Sequence, residues 1–262
     1  MRAISGSALN VFWNNLVSTI IPVSVLVLWE LAGRFQWLPP SIFASFSDTA
    51  FAWVDLLTTG KLLHHAAVSL ERLALGATLG ASFGLVVGIL IGGYKIWERL
   101  LRPTLNFLVP VPPIAWIPFF IVLFGLDGSR ISLIAFGTFL FVAVATASGI
   151  RSLDKGLMEV AQLYEYSGAR LLLFVLLPAA SGEIMGGIRA GVGISWILLV
   201  ASELIASSSG IGWLMWNSRS FSRPADMLAA CATIAILGLI LDASLASVQR
   251  RLTIWRPVFQ GN

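Results

Sequence analysis

The chain has 262 residues, 57% of them hydrophobic and 11% charged, with a formal net charge of +4 and a mean hydropathy of +0.87. A soluble domain carries roughly a quarter charged residues, so this composition excludes a water-soluble globule and points to one compact helical membrane domain with no soluble domain appended. In a membrane protein the basic excess records orientation rather than a nucleic-acid partner, and a lone cysteine, Cys231 in an apolar run, excludes an intrachain disulfide and a multi-cysteine metal site.

Crossing about 30 Å of hydrocarbon takes about 20 helical residues. Six runs qualify: 15–33, 73–94, 104–126, 131–149, 184–206 and 227–248. They are continuously apolar, without the alternation of a barrel strand, so helices are expected. The first run is longer than a signal-peptide core and lacks a small-x-small cleavage site, which predicts a retained span. Between it and the second run, Phe43, Phe46, Phe51, Trp53, Leu56 and Leu57 recur at helical spacing, as in a helix lying along the outer membrane surface.

The second run carries Gly76, Gly80, Gly84, Gly88 and Gly92, and the fifth carries Gly182, Gly186, Gly187 and Gly191. Glycines four apart line one helix face and admit a second backbone. Gly80-Ala81-Ser82-Phe83-Gly84 would suit the serine of an intramembrane protease only with a histidine base on another span. The histidines, His64 and His65, fall in the expected outer loop and read as solvated. In the third run Pro110, Pro112, Pro113 and Pro118 remove backbone donors. This makes the segment either a broken helix lining a pathway, with Pro112, Pro113 and Trp116 as candidate lining, or a buried kinked helix. Among charges in spans, Glu30 and Glu203 lie near outer ends, and Arg189 and Asp242 near inner ends. Glu203, beside Ser202, is the foremost candidate to touch substrate.

Orientation follows from the basic residues. With the N-terminus inside, Arg2, Lys95, Arg99, Arg102, Arg151, Lys155, Arg170, Arg250, Arg251 and Arg256 are cytoplasmic; Arg34, Lys61, Arg72, Arg130, Arg219 and Arg223 lie opposite. That bias places both termini in the cytoplasm. Trp37, Trp53, Trp213 and Trp216 then fall near the outer interface, and Trp13, Trp97 and Trp255 near the inner one. The polar segment from 150 to 182 is also cytoplasmic. Within it Leu157, Val160, Ala161, Tyr164, Gly168 and Leu171 share one face of a short helix, which needs a partner groove, or else folds back on its own bundle or lies at the membrane interface.

The segment from Glu159 through Ala161 to Val175, Leu177 and Pro178 resembles the EAA loop of ABC-importer permeases, whose pattern is E-A-A, a glycine six residues after the glutamate, then I-x-L-P. Glu165 stands where that glycine is expected, and the nearest glycine is Gly168. Gly149-Ile150-Arg151-Ser152-Leu153-Asp154, the stretch from Val111 to Pro118, Gly187-Ile188-Arg189-Ala190-Gly191, Ser202-Glu203-Leu204-Ile205-Ala206 and Ser209-Gly210-Ile211-Gly212-Trp213 extend the likeness in unbroken order. On these motifs the chain resembles the permease subunit of nitrate/sulfonate/taurine-type ABC importers.

The resemblance implies an all-α membrane protein of the type I importer fold: a homodimer of six-span subunits in a bacterial inner membrane. It implies two ATP-binding partner subunits and a periplasmic or lipid-anchored substrate-binding protein. The chain itself is expected to be non-catalytic and cofactor-free, since it has no G-x-x-x-x-G-K-[ST] loop. Glu159, Val160, Ala161, Tyr164, Glu165, Gly168 and Pro178 would form the ATPase-coupling element. At Glu165 a glutamate can continue the helix where glycine would turn it, with Ser167-Gly168 supplying the turn. The expected layout is a first span and surface segment at 1–72, a five-span core at 73–248 and a tail at 249–262. The pathway is expected to carry a small anion of the sulfonate, taurine or nitrate class. A secondary transporter is the alternative, but it calls for internal repeats and mid-span charges, and no convincing halves are visible.

Overall fold

The computed structural model describes residues 4–252. Arg2, Trp255, Arg256 and most of the expected tail lie outside the described residues, as do the side chains of Trp13 and Lys155.

Among the described residues the chain is helical and has no strands. The helices are α1 (Ile4–Arg34), α2 (Phe46–Thr58), α3 (Lys61–Gly93), α4 (Lys95–Leu108), α5 (Ile117–Arg151), α6 (Lys155–Leu163), α7 (Gly168–Leu171), α8 (Leu177–Ala206), α9 (Ile211–Ser220) and α10 (Pro224–Leu252). Four stretches among the described residues are long and apolar enough to cross a membrane: Lys61–Gly93, Pro113–Arg151, Gly168–Ile205 and Pro224–Leu252.

Two expectations shift. The second span begins at Lys61, so the surface helix is confined to α2 and His64 and His65 sit on α3 rather than in a loop. Ser45 starts α2 by accepting from the Asp48 amide at 3.1 Å, a side-chain cap that ends the preceding extended segment. The expected outer loop around Arg130 is also absent. The helix continues through it, Arg130 is buried, and its guanidinium meets Asp127 one turn back at 2.6 Å. The interruption falls earlier instead. Pro110, Pro112 and Pro113 end α4 at Leu108, a 3₁₀ turn spans Pro113–Trp116, and Gly125 bends α5 with φ 68°. The proline-rich stretch is therefore broken rather than merely kinked.

The chain forms two compact units. One comprises the residues up to Leu63 together with Leu214–Ala232. In it the Trp29 indole donates to the Ala44 carbonyl at 3.0 Å and meets Phe46 edge-on. Glu30 accepts the Ser47 amide at 2.9 Å, so this acid secures the start of α2.

The other unit comprises His64–Trp213 and the residues from Thr233 onward. Its centre is α5, which lies in the most enclosed of the four membrane-length stretches. The glycine ladder of α3 lies against it. A Cβ on Gly80 would fall 2.2 Å from the Ala135 carbonyl oxygen, and one on Gly88 would fall 2.5 Å from the Thr146 Cβ. On α8, Ser195 joins Thr138 at 2.7 Å and donates to the Ile134 carbonyl at 3.0 Å. Arg189 of α8 grips Asp242 of α10 through two bonds of 2.7 Å.

Candidate functional site

The segment resembling an EAA loop folds into α6, a turn, and α7. Met158, Leu153, Leu171 and Leu172 pack against the core cluster of Ile150, Leu176, Ala180 and Ile184, and Ala161 is 4% exposed. The expected apolar face therefore divides. Ala161 and Leu171 turn inward, whereas Leu157, Val160 and Tyr164 are exposed, joined by Leu163 at 82% exposure. One side of α6 folds back on the bundle, and the other is left without cover. Leu163, absent from the expected face, is the most exposed apolar residue of the helix. Glu159 also points outward.

The end of α6 explains the family glycine. The Tyr166 amide bonds the Ala161 carbonyl and the Glu165 amide bonds the Gln162 carbonyl, both at 2.9 Å. This pair of bonds is a Schellman motif, which requires a left-handed residue just past the helix end. Glu165 fills that position with φ 58°. The expectation that a glutamate would continue the helix is thus corrected: Glu165 turns the chain as a glycine would, at a cost of about 1–2 kcal/mol. Gly168, with φ 54°, adds a second turn where α7 begins. Pro178 lies in the first turn of α8, directly after a widened π turn at Leu172–Leu176. Proline has no N–H to offer the carbonyl one turn back, a cause of such local rewinding.

The lead-in to this loop is held by Arg151. Its guanidinium pairs with Glu98 and donates to the Ile91 carbonyl at 2.8 Å, joining the start of α4 and the end of α5 to the end of α3. Arg151, seconded by Arg102 at 2.6 Å, holds the Glu98 carboxyl down at about 2.

A groove of about 480 Å³ opens along α5 and α8 beside the proline break. Pro113 and Val109 form one edge; Phe141, Val144 and Ala190 line it, with Glu183 as its titratable residue. Trp116 lies nearby in sequence but turns its ring onto Phe119 and Phe136, with centroids 5.7 Å away. Pro112 precedes the 3₁₀ turn and is exposed. The paired glycines of the fifth run were the available signal for this groove, since Gly186 and Gly187 line it.

Ser202 and Glu203 are elsewhere. Ser202 donates to the Leu199 carbonyl. Glu203 is 1% exposed and accepts from the Ser69 hydroxyl (2.8 Å), the Arg72 guanidinium (2.9 Å) and the Gly212 amide (2.9 Å). Arg72 also donates to the Ser209 carbonyl, Ser69 accepts the Ile211 amide, and His65 accepts the Gly210 amide. Gly210 has φ 107°, and a Cβ there would strike the Glu203 carboxylate at 2.1 Å. The lone pairs of Glu203 are thus spent on fastening the turn between α8 and α9 to α3.

Solved structures share this architecture. A methionine ABC transporter in inward-facing conformations matches with a TM-score of 0.62 at 19% identity, over 71% of this chain and 93% of that one. An amino acid ABC transporter with histidines matches with a TM-score of 0.64 at 15% identity, over 76% and 98%. Closer relatives appear in sequence. A taurine transport system permease of Escherichia coli (strain K12) is 37% identical over 90% of this chain and 88% of its own length. A protein named as an aliphatic sulfonates transport permease in Bacillus subtilis (strain 168) is 36% identical over 92% and 88%. A bicarbonate transport system permease of Synechococcus elongatus is 32% identical over 86% and 84%. The model of the binding-protein-dependent transport system inner membrane component matches residues 84–254. The chain therefore belongs to that family, as a membrane-spanning permease subunit of the nitrate/sulfonate/taurine type of ABC importer.

Proposed function

We propose that the chain is half of a homodimeric, six-span permease that passes a small anion of the sulfonate class, with taurine, bicarbonate and nitrate as neighbouring candidates. The relatives support the anion: those named above carry aliphatic sulfonates, taurine and bicarbonate in their names. Family membership implies an ATP-binding subunit and a substrate-binding protein as partners in general. Two copies of each coupling contact, and a binding protein on the outer side, complete this reading. In this reading both termini face the cytoplasm, as the distribution of Lys and Arg favours.

The exposed side of α6 carries the proposal. Leu157, Val160, Leu163 and Tyr164 leave an apolar surface uncovered at the centre of the segment that matches the coupling register. A helix of this kind docks in a complementary groove, and we assign that groove to the ATP-binding subunit. Closure of the ATPase dimer would draw the two α6 helices together and reopen the pathway outward. Buried Ala161, the exposed left-handed turn at Glu165, and Pro178 fix how α6 is presented, and Glu159 and Gly168 complete the contact. The groove beside Pro113 is the proposed pathway wall. Pro112 and Trp116 set the geometry of the break, while Ser202 and Glu203 support the outer end of the pathway rather than touching substrate.

The reading is tested by topology and by docking. Cysteines at Asp154 and Ser208 should differ in intact cells: the first protected from an impermeant thiol reagent, the second labelled. Labelling at residue 154 would place the coupling loop on the wrong side and remove its role.

A further inference from the structure

The turn that ends α6 and the short α7 after it carry two charged side chains that find no ionic partner among the described residues. Glu165 and Arg170 both line a cleft of about 490 Å³ whose remaining walls are Tyr164, Tyr166 and Phe174. Neither makes an ion pair or a side-chain hydrogen bond among the described residues, although they face the same space. A solvated surface charge needs no partner, but three observations set this pair apart. Glu165 is held in a left-handed backbone conformation that a glycine would adopt at lower cost, so its side chain is kept in spite of the turn and not because of it. The cleft adjoins Leu163 and Tyr164, exposed at 82% and 75%, and an apolar centre rimmed by polar groups is how protein interfaces are built. The walls are aromatic, and aromatic rings favour a cation brought against them.

We propose that this cleft is the specificity contact of the coupling helix. It receives two oppositely charged side chains of the ATP-binding subunit, a base against Glu165 and an acid against Arg170, with the rings of Tyr164, Tyr166 and Phe174 around them. The apolar face of α6 supplies attraction that any similar groove would satisfy. The charge pair supplies polarity: a subunit carrying the same two charges in the opposite order meets like charges and is rejected. Its position at the helix end, and not along the packed side, lets the pair vary while Ala161 and Met158 stay fixed in the bundle. This inference rests on the reading of α6 as the docking element.

The test uses the full chain in lipid nanodiscs, titrated with its cognate ATP-binding subunit purified separately, at about 50 mM and about 500 mM salt. Glu165→Gln and Arg170→Gln should each weaken binding at least about fivefold at low salt and converge with the parent chain at high salt. Exchanging the two charges, Glu165→Arg with Arg170→Glu, should weaken binding more than either neutral variant. Parent-like affinity of both glutamine variants at low salt would overturn the proposal. Leu163→Asp separates the two levels of argument. If it leaves binding intact, the docking role of α6 itself fails; if it abolishes binding while both glutamine variants bind normally, only the charge contact fails.

Discussion

Arg72 and Glu203 meet at 2.9 Å across 131 residues of sequence, the carboxylate fully enclosed and the guanidinium nearly so. Together with Ser69 and the Gly212 amide they form a closed polar knot, which is the condition under which a buried charge is tolerated. Removing one member strands the other. Glu203→Ala should therefore cost about 3–5 kcal/mol, read as a lowered thermal midpoint in detergent. Ser208→Cys should become more reactive in that background. Glu203→Ala with an unchanged midpoint would show that the knot carries no stability.

The contact of α3 with α5 has room for hydrogen only. Gly80→Leu or Gly88→Leu would drive side-chain atoms into the Ala135 carbonyl or Thr146, and overpacking of this kind costs about 1–3 kcal/mol or more. Both variants should lose folded yield, whereas Gly193→Ala, with nothing within 4 Å of its added Cβ, should not. Equal yields for all three would contradict the backbone approach described for the ladder.

Glu98 links acidity to the loop geometry. Its carboxyl sits at about 2 in the folded chain against an ordinary 4.5, because Arg151 and Arg102 bond the charged form. A depressed folded value contributes stability above pH 4.5, which is lost progressively as pH falls toward 2. The tie between α4 and Arg151 should loosen in that window, seen as faster amide exchange at the start of α6. Glu98→Gln should show the loosened exchange at neutral pH and little further change on acidification; unchanged exchange in the variant would sink this account.

At Glu165 stability and docking pull apart. Glu165→Gly suits the left-handed turn better and should raise stability by about 1 kcal/mol, while Glu165→Val, β-branched in the same conformation, should lower it. The measurement is thermal melting of the isolated permease in detergent, free of the ATP-binding subunit. A glycine variant less stable than the parent would mean that Glu165 makes a supporting contact within the chain.

Much of this was legible in the residues. Glycines four apart on 76–92 announced a close helix contact, and the prolines at 110–118 announced a break or a kink, because both act through backbone sterics that do not depend on the rest of the fold. The register from Glu159 to Pro178 located α6. Three things were not legible. The continuation of α5 through Asp127 and Arg130 depends on those two charges satisfying one another a turn apart, so a polar cluster imitated a loop. The work of Glu203 depends on Ser69 and Arg72, more than 130 positions earlier, so an intramembrane acid looked like a ligand group. The left-handed glutamate ran against residue preference, and only the carbonyl bonds from Tyr166 and Glu165 identify that turn.

The central claim is that the exposed side of α6 enters the ATP-binding subunit. It is tested most directly by crosslinking in a Cys231→Ala chain that carries a single new cysteine at Leu163. In the assembled transporter, a short bismaleimide should join this position to a cysteine in the cleft of the ATP-binding subunit, with a yield that changes when nucleotide is added. A cysteine at Leu239, also well exposed but on α10 within a membrane-spanning stretch, should give no such product. Absence of the crosslink at Leu163 and at Val160, in a complex that still co-purifies, would contradict the account.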